Sequence, residues 1–114
     1  MSDLPNLSAA DLRRLVATRA VSAAHVVEAC LERVDALNRT LNAVVTLNPH
    51  ALEDAAKLDA RLAKGEEPGP LCGLPVGIKD VTPVAGLRTT YGSPIYADNV
   101  PKEDALVVRR LRHA

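Results

Sequence analysis

A chain of 114 residues, 47% of them hydrophobic and 25% charged, has enough apolar material for one modest core and too little for a membrane protein. Its 14 basic and 14 acidic residues cancel, and no Lys/Arg cluster is interleaved with aromatics, which argues against direct nucleic-acid contact or an anionic membrane and for a small or neutral ligand. The start, MSDLPNLSAADLRR, carries charges where an apolar signal core would have to lie, and no run approaches the length of a transmembrane helix, so the expected location is cytoplasmic.

Ser8 followed by Asp11 resembles a capping box with a shorter acid, and Leu12, Leu15 and Val16 mark one apolar stripe of a short first helix running to about Arg19. Ser22 then caps a second helix in which Val26, Val27, Cys30, Leu31, Val34 and Leu37 follow a 3.6-residue period, so one face packs. His25 lies beside that stripe with neither a nearby Cys nor a second His at ligand spacing, and reads as structural. Cys30 and Cys72 form neither a metal-ligand spacing nor a disulfide framework and read as two buried thiols.

Asn38 to Asn42 is polar and turn-forming, and the β-branched run from Ala43 to Leu47 that follows is a candidate strand, stopped by Asn48 and Pro49. Pro49 at a helix start, with Ala51, Leu52, Ala55, Leu58 and Leu62 on one side, predicts a third helix with His50 on the surface of its first turn and Gly65 as a left-handed cap. At the other end of the chain, Glu103 and Asp104 fall in the first turn of a last helix. There Val107, Val108 and Leu111 share a side, while Arg109, Arg110 and Arg112 lie where the macrodipole favours cations.

Between these helices the composition changes. Six of the eight prolines lie at or after Pro68, and five of the six glycines lie between Gly69 and Gly92, so this backbone is forced into particular conformations. Pro75 can open a strand but not continue one, and Val76, Gly77 and Ile78 form a short apolar run that ends at Lys79 and Asp80. Strand alternation puts Lys79 and Asp80 on opposite faces, which argues against a simple ion pair, and puts Lys79 beside Gly77, where the missing side chain leaves open space. The loop from Val81 to Pro101 has too many breakers for one regular element, although Gly86 to Thr90 has room for a short extended piece, and loops of this length are often functional. The alternation of helix and strand predicts an α/β fold.

The run GPLCGLPVGIKD, followed by GLRTTYGSP and DALVVRRLRHA, resembles the amino-terminal part of the amidase signature family. There a Gly-Pro-Leu-x-Gly-x-Pro-x-x-x-Lys-Asp motif supplies the lysine of a Ser, cis-Ser, Lys triad, and Lys79 matches that lysine. A second block, Thr89, Thr90, Gly92 and Ser93, stands at the expected distance. The likeness extends back through Leu58, Asp59 and Gly65, with Cys72 at a position where many relatives carry histidine.

The resemblance implies an amidase-signature-like α/β fold, with helices packed on a mixed sheet and only its amino-terminal portion in this chain, and hydrolysis of carboxylic amide C–N bonds without a cofactor. A neutral lysine takes a proton from a bridging serine, which takes one from the nucleophilic serine, and N–H groups of a Gly-Ser-rich loop hold the oxyanion. Lys79 is the one residue of the triad in this chain, and the serines lie downstream of Ala114; Ser93 reads as a turn former. For a lysine to act as a base its pKa of about 10.4 must fall by a few units, and burial at an apolar strand end is the expected cause.

Residues 1–114 thus read as the amino-terminal segment of an amidase domain, truncated before the catalytic serines. The last helix reaches Ala114 without a Gly or Asn stop, and too few strands occur for an independent sheet. The implied partners are a small-molecule amide and, in the full-length form, a homodimer or an amidotransferase complex. The alternatives are the glutamine-hydrolysing subunit of an aminoacyl-tRNA amidotransferase and an inactive amidase-like interaction module.

Overall fold

The computed structural model describes residues 2–114, and it contains four α-helices: α1 (Ala9–Ala17), α2 (Ala23–Leu41), α3 (Ala51–Ala63) and α4 (Leu106–His113). Short 3-10 turns cover Leu4–Asn6 and Pro94–Tyr96. Two compact units form, one from the chain up to Ala43 with Pro49–Pro75, the other from Val44–Asn48 with Val76–Ala114.

In the first unit the helix starts follow local chemistry. Ser8 Oγ accepts from the Asp11 N–H at 3.1 Å and Ser22 Oγ accepts from the His25 N–H at 3.0 Å, each satisfying one of the donors that a helix start leaves unpaired. The Asp59 carboxylate of α3 adds a non-local cap to α2, accepting from the Ala23 N–H at 2.7 Å and the Ala24 N–H at 3.0 Å. Helix α2 packs on α3 and on the Leu4–Asn6 turn. The core gathers Leu12 and Val16 of α1, Ala23 and Val26 of α2, Ala55 and Leu62 of α3, and Cys72 beyond them. Gly65 has a φ of +89° and closes α3 as expected.

The apolar stripe of α2 is only partly used. Ala23, Val26 and Ala29 are buried, whereas Leu37 and Leu41 are exposed, so periodicity overstated how far the buried face runs. Of the two cysteines, Cys72 is buried and Cys30 only partly so, which corrects the expectation of two buried thiols. His25 is a surface residue whose Nδ1 stands 3.6 Å from Glu28.

The mixed sheet is absent: among the described residues there is no β-strand. A strand exists only where a neighbour completes its ladder, and neither 43–47 nor 76–79 finds one. The Val45 carbonyl accepts instead from Arg88 Nη2 at 3.1 Å, and the Lys79 carbonyl from the Thr82 N–H at 2.9 Å, closing a turn.

The second unit is held by hydrogen bonds across the loop rather than by a large core, with Val84, Thr89 and Val108 its buried residues. The Thr89 N–H donates to the Asn99 carbonyl at 2.9 Å while Asn99 Nδ2 returns a bond to the Thr89 carbonyl at 2.8 Å, and the Gly86 N–H donates to the Pro101 carbonyl at 3.0 Å. These bonds run beside the expected extended piece at Gly86–Thr90 without making a ladder, because Pro101 has no N–H to return. Helix α4 begins at Leu106, later than predicted, since Asp104 is engaged elsewhere. Its carboxylate accepts from the Ala85 N–H at 2.7 Å and pairs with Arg112 at 2.8 Å. Of the predicted α4 stripe, Val108 is buried and Val107 exposed.

Candidate functional site

The motif Gly69–Asp80 divides in its physical roles. Its first half belongs to the first unit. Arg13 donates through Nε and Nη2 to the Gly69 carbonyl at 3.3 and 3.2 Å, and through Nη2 to the Pro68 carbonyl at 3.3 Å, which ties α1 to the entry of the motif. The Leu74 N–H closes a turn on the Leu71 carbonyl at 3.1 Å, and Gly73 takes the third position of that turn with a φ of +76°, where only glycine fits without strain. A Cβ on Gly73 would meet Val16 Cγ1 at 2.6 Å, so the turn lies flat against the buried valine of α1. The Cys72 thiol beside it is pushed up in pKa by burial, with Arg13 acting in the opposite direction, and is held as a thiol rather than a nucleophile.

The second half belongs to the second unit. A Cβ on Gly77 would meet nothing within 4 Å, but with no strand at 76–79 the alternation expected to set Lys79 beside that space does not hold. Lys79 is exposed in an irregular segment that ends in a turn, so the burial expected at a strand end is not supplied by these residues. Among the described residues no acidic side chain forms an ion pair with it.

Asp80 faces elsewhere, in keeping with the expectation that it makes no ion pair with Lys79. Its Oδ1 accepts from the Thr90 N–H at 2.8 Å and its Oδ2 from the Thr90 hydroxyl. The Asp80 carbonyl accepts from the Tyr91 N–H at 2.9 Å, and Thr90 Oγ1 accepts from the Gly92 N–H at 3.2 Å. The Thr90 hydroxyl and then the Thr90 N–H hold the Asp80 carboxyl below the ordinary carboxylate range. The turn that makes these bonds is unusual in its backbone. Tyr91 has a φ of +54° and Gly92 of +68°, and the Tyr91 ring meets Tyr96 edge-on with centroids 5.1 Å apart.

Ser93 caps the Pro94–Tyr96 turn, its Oγ accepting from the Ile95 N–H at 3.4 Å, which agrees with its reading as a turn former. The bond between Asp80 and Thr90, ten residues apart, has no counterpart among the sequence expectations. The Thr-Thr-Tyr-Gly-Ser block is visible in the sequence, but no spacing rule links it to an aspartate across an irregular loop.

Among the described residues no helix is long and apolar enough to cross a membrane. The amidase family model matches residues 25–114. The A subunit of the glutamyl-tRNA(Gln) amidotransferase of Salinispora arenicola (strain CNS-205) is 46% identical over 100% of this chain and 23% of that protein. The acylamidase of Rhodococcus erythropolis is 43% identical over 95% of this chain and 23% of that protein. This chain therefore spans about a quarter of the length of these relatives.

Among solved structures, one titled "An unexpected vestigial protein complex reveals the evolutionary origins of an s-triazine catabolic enzyme" superposes with a TM-score of 0.88 at 29% identity. It matches over 94% of this chain and 24% of its own. A crystal structure of PAM12A gives 0.86 at 39% identity, over 92% and 22%. The family match takes in the whole segment from the motif through α4, where Lys79 and the Asp80–Thr90 bonds lie, and the chain belongs to the amidase family.

Proposed function

We propose that residues 1–114 act as the amino-terminal segment of a longer amidase domain that hydrolyses carboxylic amide C–N bonds, and that Lys79 is the base of its Ser, cis-Ser, Lys triad. The observation that carries this is the family match over residues 25–114, which contains a Gly-Pro-Leu-x-Gly-x-Pro-x-x-x-Lys-Asp motif ending in Lys79 and Asp80. Lys79 is exposed and, among the described residues, forms no ion pair, so its ammonium group is free to enter a site that further chain completes. The burial that a neutral lysine requires then comes from that further chain, as do both serines and the oxyanion donors.

A second reading has its own support. The 46% identity over the whole chain to the A subunit of a glutamyl-tRNA(Gln) amidotransferase favours a glutamine-hydrolysing protein that works within an amidotransferase complex. Both readings give Lys79 the same role and differ in the amide presented to it, so turnover of glutamine against simple acyl amides by the full-length enzyme separates them.

The role itself is tested in the full-length enzyme by Lys79→Ala and Lys79→Arg. Alanine removes charge and base together, whereas arginine keeps a cation of similar reach that does not deprotonate near neutral pH. Loss of turnover by about a hundredfold to ten-thousandfold in both variants is expected of a general base. Turnover by Lys79→Arg within a few-fold of the parent would show that Lys79 supplies only charge.

A further inference from the structure

We infer that Asp80 and Thr90 are positioning residues for Lys79: together they fix the backbone from which the lysine side chain springs, and Asp80 does so as a hydrogen-bond anchor rather than as an ion-pair partner. This rests on the reading of Lys79 as the base.

The backbone of residues 79 and 80 is bound on both sides. The Lys79 carbonyl accepts from the Thr82 N–H at 2.9 Å, and the Asp80 carbonyl accepts from the Tyr91 N–H at 2.9 Å. The Asp80 side chain takes both the N–H and the hydroxyl of Thr90, and that hydroxyl oxygen also accepts from the Gly92 N–H at 3.2 Å. Both carboxylate oxygens are engaged with Thr90, and among the described residues Lys79 forms no ion pair.

The strand that would otherwise hold a lysine rigid is absent from the described residues, so these bonds are its local support. The turn that provides them places Tyr91, a bulky residue, at a φ of +54°. Such a conformation persists where the surroundings over-determine it, here through the bond from Tyr91 to Asp80, its ring contact with Tyr96 at 5.1 Å and the following Gly92. A base displaced by about 1 Å can lose about a hundredfold in rate, so an anchor one residue away has room to matter.

The test is a double-mutant cycle in the full-length enzyme, with turnover expressed per folded molecule. Thr90→Val keeps the shape of the side chain and removes the hydroxyl. It is expected to lower kcat by about tenfold to a hundredfold with KM little changed, and Thr90→Ser, which restores the hydroxyl, is expected to recover kcat to within about threefold of the parent. In a Lys79→Ala background, where residual turnover no longer depends on where the lysine sits, Thr90→Val should cost nothing further. An equal loss in both backgrounds would overturn the proposal, because Thr90 would then act through the fold and not through Lys79; so would an unchanged kcat in Thr90→Val. If Thr90→Val does not fold, Asp80→Asn, which keeps size and one acceptor oxygen, is put through the same cycle and read in the same two ways. Full turnover by Lys79→Arg sinks the assignment of the base, whereas an inactive Lys79→Arg with additive Thr90 effects sinks only the positioning role.

Discussion

Replacing Gly73 with alanine tests the packing of the motif on α1 with a single methyl group. Two costs follow from the structure. At a φ of +76° a Cβ collides with its own backbone, which costs about 1–2 kcal/mol. The new carbon would also stand 2.6 Å from Val16 Cγ1, closer than real carbon contacts, and 3.1 Å from both Cβ and Cγ2, tighter than most of them. Val16 cannot swing aside, because a β-branched residue in a helix is confined to one main rotamer and its own Cβ is among the obstructing atoms. The turn or α1 has to retreat by a good fraction of an ångström, at about 1–3 kcal/mol for an overpacked site.

The sum is roughly 2–5 kcal/mol, or a fall in Tm of about 8–20 °C if each kcal/mol moves a chain of this size by about 4 °C. Gly77→Ala is the matched control. No atom lies within 4 Å of its Cβ and its φ is outside the left-handed region, so its effect should stay within about 1 kcal/mol. Thermal unfolding followed by helical circular dichroism, with urea midpoints alongside, reads both. A Gly73→Ala variant melting within about 3 °C of the parent would refute the close approach. In a Val16→Ala background the Gly73→Ala penalty should shrink without vanishing, since the Val16 Cβ at 3.1 Å stays in place.

Other outcomes follow from single contacts. Asp59→Ala removes the acceptor for two N–H groups at the start of α2 and should lower stability by about 1–3 kcal/mol, with Asp59→Asn losing less because one acceptor oxygen remains; urea midpoints decide, and an unchanged midpoint in Asp59→Ala would mean that solvent caps α2 equally well. Asp80, held down chiefly by the Thr90 hydroxyl, and Asp104, held down chiefly by the Ala85 N–H with Arg112 assisting, both have folded pKa values below the ordinary value of about 3.9. The folded state therefore binds fewer protons than the unfolded state in that range, so their stabilisation is present above about pH 4 and is lost as pH falls through the lowered values. Urea midpoints should decline on acidification below about pH 4, and Asp80→Asn or Asp104→Asn should flatten that decline; an unaltered slope in both would show that neither carboxylate is responsible.

Features set by a few neighbouring residues could be read in advance. Ser8, Ser22 and Gly65 mark helix ends because the atoms they bind lie within one turn, and all three act as expected. What depended on distant partners was hidden. Asp104 looked like a first-turn acid of α4 and is instead bound to Ala85, 19 residues back, so the helix starts at Leu106. The stripe of α2 continued in the sequence to Leu37, but hydrophobic period says which side would pack and not whether anything lies opposite. The apolar runs at 43–47 and 76–79 likewise carried strand composition without the partner that makes a strand. At the candidate site, Lys79 was visible through its motif, whereas its exposure and the Asp80–Thr90 bonds depend on how an irregular loop folds back over ten residues.

That contrast assigns different duties to the two halves of one motif. From Gly69 to Leu74 the Gly69 carbonyl receives Arg13, the buried Cys72 thiol joins the helical core, and Gly73 admits the turn against Val16. From Val76 to Asp80 little is buried, yet two carbonyls and one carboxylate are engaged around a lysine that forms no ion pair among the described residues. A residue whose neighbours are anchored while its own charge is unpaired gains little for folding and is available for chemistry. Substitutions in the first half should therefore change unfolding midpoints in proportion to turnover. Those at Lys79, on the proposal that it is the base, should leave midpoints nearly unchanged while turnover of the full-length enzyme falls.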